Sequence, residues 1–90
     1  MADINDMMTK AKRLVKEYYN SRVENIDKAK LTEDEIFVVW FSETSPNWKA
    51  LVSTTVSDDM YYEVTYDCDK KRTYIDTYKK WENVCVPDDK

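Results

Sequence analysis

The spacing of apolar residues changes along the chain and divides it into elements. Ile4, Met7, Met8, Ala11, Leu14, Val15, Tyr18 and Tyr19 recur at i, i+3, i+4 and i+7, which predicts an amphipathic helix over residues 4–23. Asp3 can cap its first amides, and Asp6 three residues later gives a capping-box-like arrangement. The opposite face carries Lys10, Lys12, Arg13, Lys16 and Arg22. Residues 24–34 read as a polar connection with room for a short turn around Ile26.

The pattern then becomes that of strands. Ile36 to Phe41 is an unbroken β-branched and aromatic run, as in a strand buried on both faces or at a sheet centre. Residues 42–47 form a turn around Pro46. From Trp48 to Val56 the chain alternates, with Trp48, Ala50, Val52, Thr54 and Val56 on one face and Lys49, Leu51, Ser53 and Thr55 on the other. Ser57-Asp58-Asp59 turns the chain, and Met60, Tyr62, Val64 and Tyr66 alternate again. These segments predict a three-stranded antiparallel meander.

The last segment carries two periods at once. Tyr74, Ile75, Tyr78, Trp81 and Cys85 fit a helical stripe, and Thr73 with Asp76 offers a second capping box. Thr73, Ile75 and Thr77 also alternate as in a fourth strand. Because the helical spacing persists through Trp81 and Pro87 then stops it, helix is the preferred reading. The expected fold is α+β in the order α-β-β-β-α, a three-stranded meander with both helices packed on one face.

Length makes this one domain, residues 1–90, burying roughly 60–65% of its unfolded surface. Tyr 7, Trp 3 and Phe 2 suit so thin a core, since rings bury much area per residue. Charged residues reach 36% with both signs present, a globular pattern with a well-solvated surface. The acidic N-terminus is unlike a secretory signal, and the run 36–41 is too short to span a bilayer. The chain is therefore expected in a cytoplasm, without membrane contact. There Cys68 and Cys85, outside any CxxC spacing, read as free thiols, with Cys85 a small core hydrophobe.

The chain contains no glycine, so every tight turn needs type I geometry or an Asp or Asn in the left-handed conformation. Phosphate-cradling glycine loops are excluded. The absence of histidine removes the commonest general base and zinc ligand, and two isolated cysteines make no zinc site. Glu33-Asp34-Glu35, Asp58-Asp59 and Asp88-Asp89 lack the calcium-loop pattern and fall where turns and tails solvate acids. Glu63-Val64-Thr65 lacks the lysine of a metal-dependent nuclease step. No catalytic residue, metal site or cofactor is expected, and the chain does not read as an enzyme.

The net charge of -4 is segregated. Residues 9–30 and 69–80 are basic, whereas residues 31–68 hold a single lysine against eight acids. On this reading the helices are basic and the strands acidic. Trp48, Tyr62 and Tyr66 are expected in the core, leaving Leu51, Tyr61 and one side of the 36–41 strand on the other sheet face. With Asp58, Asp59 and Glu63 they would form an apolar, acidic patch for a protein partner or a homodimer seam.

Nucleic-acid binding is the second class. The order α-β-β-β-α is that of double-stranded-RNA-binding domains, and Lys70, Lys71, Arg72, Lys79 and Lys80 would be its phosphate contacts. The overall acidity and the lack of glycine loops argue against it. A protein partner is expected over nucleic acid.

Val39-Trp40-Phe41-Ser42, Asn47-Trp48-Lys49-Ala50-Leu51-Val52-Ser53-Thr54-Thr55, Met60 to Tyr66, and Tyr78-Lys79-Lys80 through Glu82-Asn83 carry a resemblance. Over residues 36–84 the chain resembles an uncharacterised family of small phage and prophage proteins from Gram-positive hosts. Such relatives tend to have Asn-Gly where this chain has Asp67-Cys68, which places the 67–69 turn apart from the family pattern. The resemblance implies a viral accessory protein acting in the host cytoplasm, such as an inhibitor of host defence. It supplies no active-site residues.

Overall fold

The computed structural model describes residues 3–23 and 30–89. Helix α1 spans Ile4–Val23, a single 3-10 turn covers Glu33–Glu35, and four strands follow: β1 (Ile36–Thr44), β2 (Asn47–Thr54), β3 (Met60–Asp67) and β4 (Arg72–Lys79). All pair antiparallel in the order β1-β2-β3-β4. The turn expected around Ile26 lies outside the described residues.

Helix α1 begins where the sequence places its cap: the Asp3 side chain accepts a hydrogen bond from the Asp6 amide at 2.8 Å. Its apolar stripe lies on one face of the sheet, where Ala11 and Val15 lose all solvent contact among Ala50, Val52, Val64 and Ile36. Small residues here let the helix approach the pleat closely. Tyr18 meets Tyr62 edge to face, ring centroids 6.0 Å apart, a geometry worth about 0.5–1.5 kcal/mol beyond the area buried. Asn20 then clamps the returning chain, accepting from the Leu31 amide at 2.7 Å and donating to the Leu31 carbonyl at 3.0 Å. That pair seats the Leu31 side chain in the core. Glu35 secures the next turn by accepting from the Thr32 amide at 2.9 Å and its hydroxyl at 3.1 Å.

Strands β2 and β3 follow the expected alternation, with Trp48, Ala50, Val52, Tyr62 and Val64 buried. β1 does not lie at the sheet centre: it is an edge strand, buried on one side only. Its register runs evenly from Ile36 opposite Thr54 to Val38 opposite Val52, then jumps so that Trp40 faces Leu51. Val39 is the extra residue of a β-bulge. Strict alternation from Ile36 would have turned Trp40 toward the helix. The bulge instead sends Trp40 to the open face and Phe41 inward, where it stacks on Trp48 at 5.9 Å. An apolar run without alternation thus encodes a strand that changes phase midway.

Residues 72–83 are not a helix. Arg72–Lys79 forms a fourth strand, with Thr73, Ile75 and Thr77 opposite Tyr66, Val64 and Tyr62. The β-branched alternation outweighs the helical stripe because the pairing satisfies the outer backbone groups of β3, which a helix would leave unpartnered. Thr73 and Asp76 are therefore ladder residues. The basic segment 69–80 belongs to a turn and a strand. Residues 80–86 follow without regular structure, and Cys85, expected in the core, is exposed.

The glycine-free turns use the expected geometry in part. Asp59 takes the left-handed conformation at φ 59°, as foreseen for an aspartate, and Lys71 does so at φ 51°, which was not. In the β3–β4 turn the Asp67 carboxylate accepts from the amides of Asp69 and Lys70, and the Lys71 amide closes on the Cys68 carbonyl. A short polar side chain thus closes a turn that holds no glycine. The β1–β2 loop is Ser45-Pro46, joined by a cis peptide bond.

Two predictions follow from this core. Asn20→Ala strips both partners from the Leu31 backbone and should lower stability by about 1–3 kcal/mol; urea unfolding should show a lower midpoint at unchanged slope. Burial, with Asp58 adding its charge, pushes the Tyr62 phenol up to about 12 from its ordinary 10. Above pH 10 the unfolded chain gives up this proton before the folded one, so stability is complete below pH 10 and falls as pH rises toward 12. The loss should reach about 2 kcal/mol, and Tyr62→Phe should abolish it in unfolding curves measured at rising pH.

Candidate functional site

With α1 on one face, the other face of the sheet has no covering element among the described residues. The register lays out its side chains in rows across the strands. One row runs from Trp40 through Leu51 and Glu63 to Asp76. Tyr61 faces Tyr78 in the next, and Lys49, Thr65 and Tyr74 make a third. Phe37 stands on β1 opposite Ser53.

Glu63 and Asp76 are directly opposed like charges, a destabilising pairing on a sheet. The neighbours offset it. Lys49 brings its Nζ to 3.7 Å from Glu63 Oε1, and the Tyr78 hydroxyl donates to the same oxygen at 3.3 Å. The Tyr78 phenol is raised above its ordinary value, first by the charge of Glu63, then by burial, Asp76 and the hydrogen bond itself. Glu63 is thus the point on which the polar side chains of this face, Lys49 and Tyr78 among them, converge. Around it Phe37, Val39, Trp40, Tyr74 and Tyr78 remain between 40% and 50% exposed. Four rings at that exposure present about 300–450 Å² of aromatic surface, the size at which a patch on a small protein marks an interaction site.

The residues expected to bind a partner divide between two places. Leu51, Tyr61 and Glu63 are on this face. Asp58 and Asp59 are in the β2–β3 turn at the end of the sheet, with their charges engaged locally. Asp58 accepts from the Met60 amide at 3.1 Å and faces the Tyr62 phenol on the helix side. Asp59 pairs with Lys80 at 3.8 Å. Most of the exposed area comes from Phe37 and Trp40, which the expected set held only as one unnamed side of the 36–41 strand, and from Tyr74 and Tyr78, which were outside it. For the last two the signal was present: Tyr74, Asp76 and Tyr78 alternate against Thr73, Ile75 and Thr77.

The five basic residues considered for phosphate contact do not converge. Lys70 and Lys71 are in the β3–β4 turn and Arg72 opens β4, whereas Lys79 closes it, about 23 Å away at strand rise. A second concavity, about 340 Å³, lies under the start of α1 between Met7, Pro46, Trp48 and Tyr66. Its aromatic wall already carries a cation of the chain itself, since Lys10 sits 5.2 Å from the Tyr66 ring centre. Among the described residues no three His, Cys, Asp or Glu side chains gather as metal ligands, and no helix is long and apolar enough to cross a membrane.

A family model matches residues 8–88, nearly the whole chain. The chain belongs to a family of unknown function, DUF6275. Comparison with curated proteins and with solved structures gave no match. The region shared with DUF6275 takes in the four strands, the open face they form and the segment beyond β4.

The arrangement around Glu63 predicts a specific titration. Glu63→Gln removes the charge that does most to hold the Tyr78 phenol up, so its pKa should fall toward the ordinary value near 10. A pH titration of the Tyr78 ring resonances by NMR reads the change, and Asp76→Asn should produce a smaller fall in the same direction.

Proposed function

We propose that this member of DUF6275 is a non-enzymatic protein that works by docking the open face of its sheet onto another protein. One observation carries the reading: a four-stranded sheet has a helix on one side and, on the other, exposed rings grouped around a neutralised charge. Aromatic residues with few free charges are the composition of protein interface cores. A nucleic-acid platform would combine such rings with unpaired cations; here each cation of the face meets an acid, Lys49 pairing with Glu63 and Arg72 standing opposite Asp67 in the ladder. The chain has no histidine to supply the usual acid–base chemistry, which favours stoichiometric binding over turnover.

The resemblance to small phage and prophage proteins supports a finer version: an accessory protein that occupies a macromolecule in a bacterial cytoplasm, such as a component of host defence. Mimicry of phosphates by Asp58, Asp59 and Glu63 draws little support from their separate, locally paired positions. The aromatic face is the better-supported means of contact.

The test is affinity capture from bacterial lysate with the wild-type chain, the pair Phe37→Ser/Trp40→Ser, and the pair Asp58→Lys/Asp59→Lys. A partner held by wild type, lost at least tenfold by the face pair and retained by the turn pair is the expected result. Circular dichroism should show all three folded. A partner retained by the face pair would sink the reading.

A further inference from the structure

The chain holds a second apolar surface that its own fold does not use. Beyond β4 every residue from Lys80 to Asp89 is exposed. Yet this arm contains Trp81 at 97% exposure, with Val84 at 69% and Val86 at 68%. A tryptophan left almost wholly in water forfeits one of the largest burial gains any side chain offers. Ordinary solvating tails are polar throughout, whereas this one interleaves Trp81, Val84 and Val86 with its polar residues.

The start of the arm is fixed. The Lys80 amide donates to the Asp59 carbonyl at 2.8 Å, and its ammonium lies 3.8 Å from the Asp59 carboxylate. Both contacts hold the end of β4 to the β2–β3 turn. Reaching the open face of its own sheet would require reversal just after this anchor, in a sequence without glycine. The chain instead continues outward. The radius of gyration is 15.1 Å, against about 12 Å for a compact chain of this length.

We propose that the arm of each chain, Trp81–Val86, lies across the open sheet face of a second copy, so that two chains exchange arms about a two-fold axis. The proposal rests on the reading of that face as a protein-docking surface and names its first occupant. Dimensions agree: six extended residues cover about 20 Å, and the outer strands of a four-stranded sheet are about 14 Å apart. Area agrees as well. The four face rings offer about 300–450 Å², and Trp81 with the two valines adds roughly 400 Å². Each copy would thus contribute about 800 Å², the share of a standard interface. The exchange is isologous, each chain giving an arm and receiving one, so it closes at two copies. Trp81 is its anchor, as a large aromatic inserted among other rings.

Sedimentation velocity over a concentration series tests the exchange. The full chain should be a dimer, and a chain ending at Lys80 should be a monomer with an unchanged circular dichroism spectrum. Trp81→Ala should weaken dimerisation by about 30-fold or more. A full chain that stays monomeric, or a dimer that survives removal of the arm, overturns the proposal. Cross-linking locates the arm in the intact protein. In a Cys68→Ser, Ser53→Cys chain, oxidation should join Cys85 of one copy to position 53 of another and give a covalent dimer. A bond closed within one chain would show the arm on its own sheet and equally overturn the proposal. The face reading is judged apart, by capture with the chain ending at Lys80. If that chain holds a partner that Phe37→Ser/Trp40→Ser loses, the docking face stands even where arm exchange fails.

Discussion

The contact between the Ala11–Val15 stripe of α1 and the Ala50, Val52 and Val64 positions of the sheet is the one on which the rest depends. It is made by small and β-branched side chains with no solvent contact, so helix and pleat meet closely over a narrow area. A single helix of 20 residues can cover one side of four strands and no more. Everything else follows from that shortage of material. Larger rings widen the covered zone at both ends: Tyr18 on Tyr62 at one, and the Phe41, Trp48 and Tyr66 stack at the other. The second side of the sheet stays in water.

The bare side is organised by one like-charge compromise and one change of phase. Glu63 faces Asp76 across the β3–β4 ladder, and Lys49 and Tyr78 make that tolerable by converging on the same carboxylate oxygen. The bulge at Val39 rotates the second half of β1, bringing Trp40 into the row headed for this charge and Phe41 into the core. Helix packing on one side and ring display on the other are therefore coupled through a single inserted residue. An apolar surface of this size is consistent with a chain that functions through contact.

Much of the architecture was legible in the sequence where one period dominates a segment. The helix of residues 4–23 and the alternation of 60–66 appear where the pattern places them, and that of 48–56 does so as far as Thr54, because burial on one face imposes that pattern. Legibility failed where two patterns overlap. Ile36–Phe41 has no alternation because its bulge joins two alternations of opposite phase, and this reads as burial on both sides. In residues 72–83, Tyr74, Tyr78 and Trp81 happen to fall at helical spacing while serving a strand and an arm. Placing Tyr74 and Tyr78 on a helix hid them from the exposed face. Leu51, Tyr61 and Glu63 were reachable because β2 and β3 carry the clear alternation. The partner pair of Glu63 was not, since cross-strand register is set by turn lengths that the glycine-free loops disguise.

Those loops bear on the unfolded chain as much as on the folded one. A chain of 90 residues would ordinarily contain roughly six glycines, and this one contains none. Each replacement at a position that tolerates a side chain narrows the unfolded ensemble and is worth about 0.4–1 kcal/mol. Asp59 and Lys71 work in the opposite sense, held at positive φ where glycine would sit without strain. A one-helix layer with half its sheet in water has little burial from which to draw stability. The stiffness of the disordered state, a property no contact in the folded molecule displays, contributes to keeping so thin a core folded.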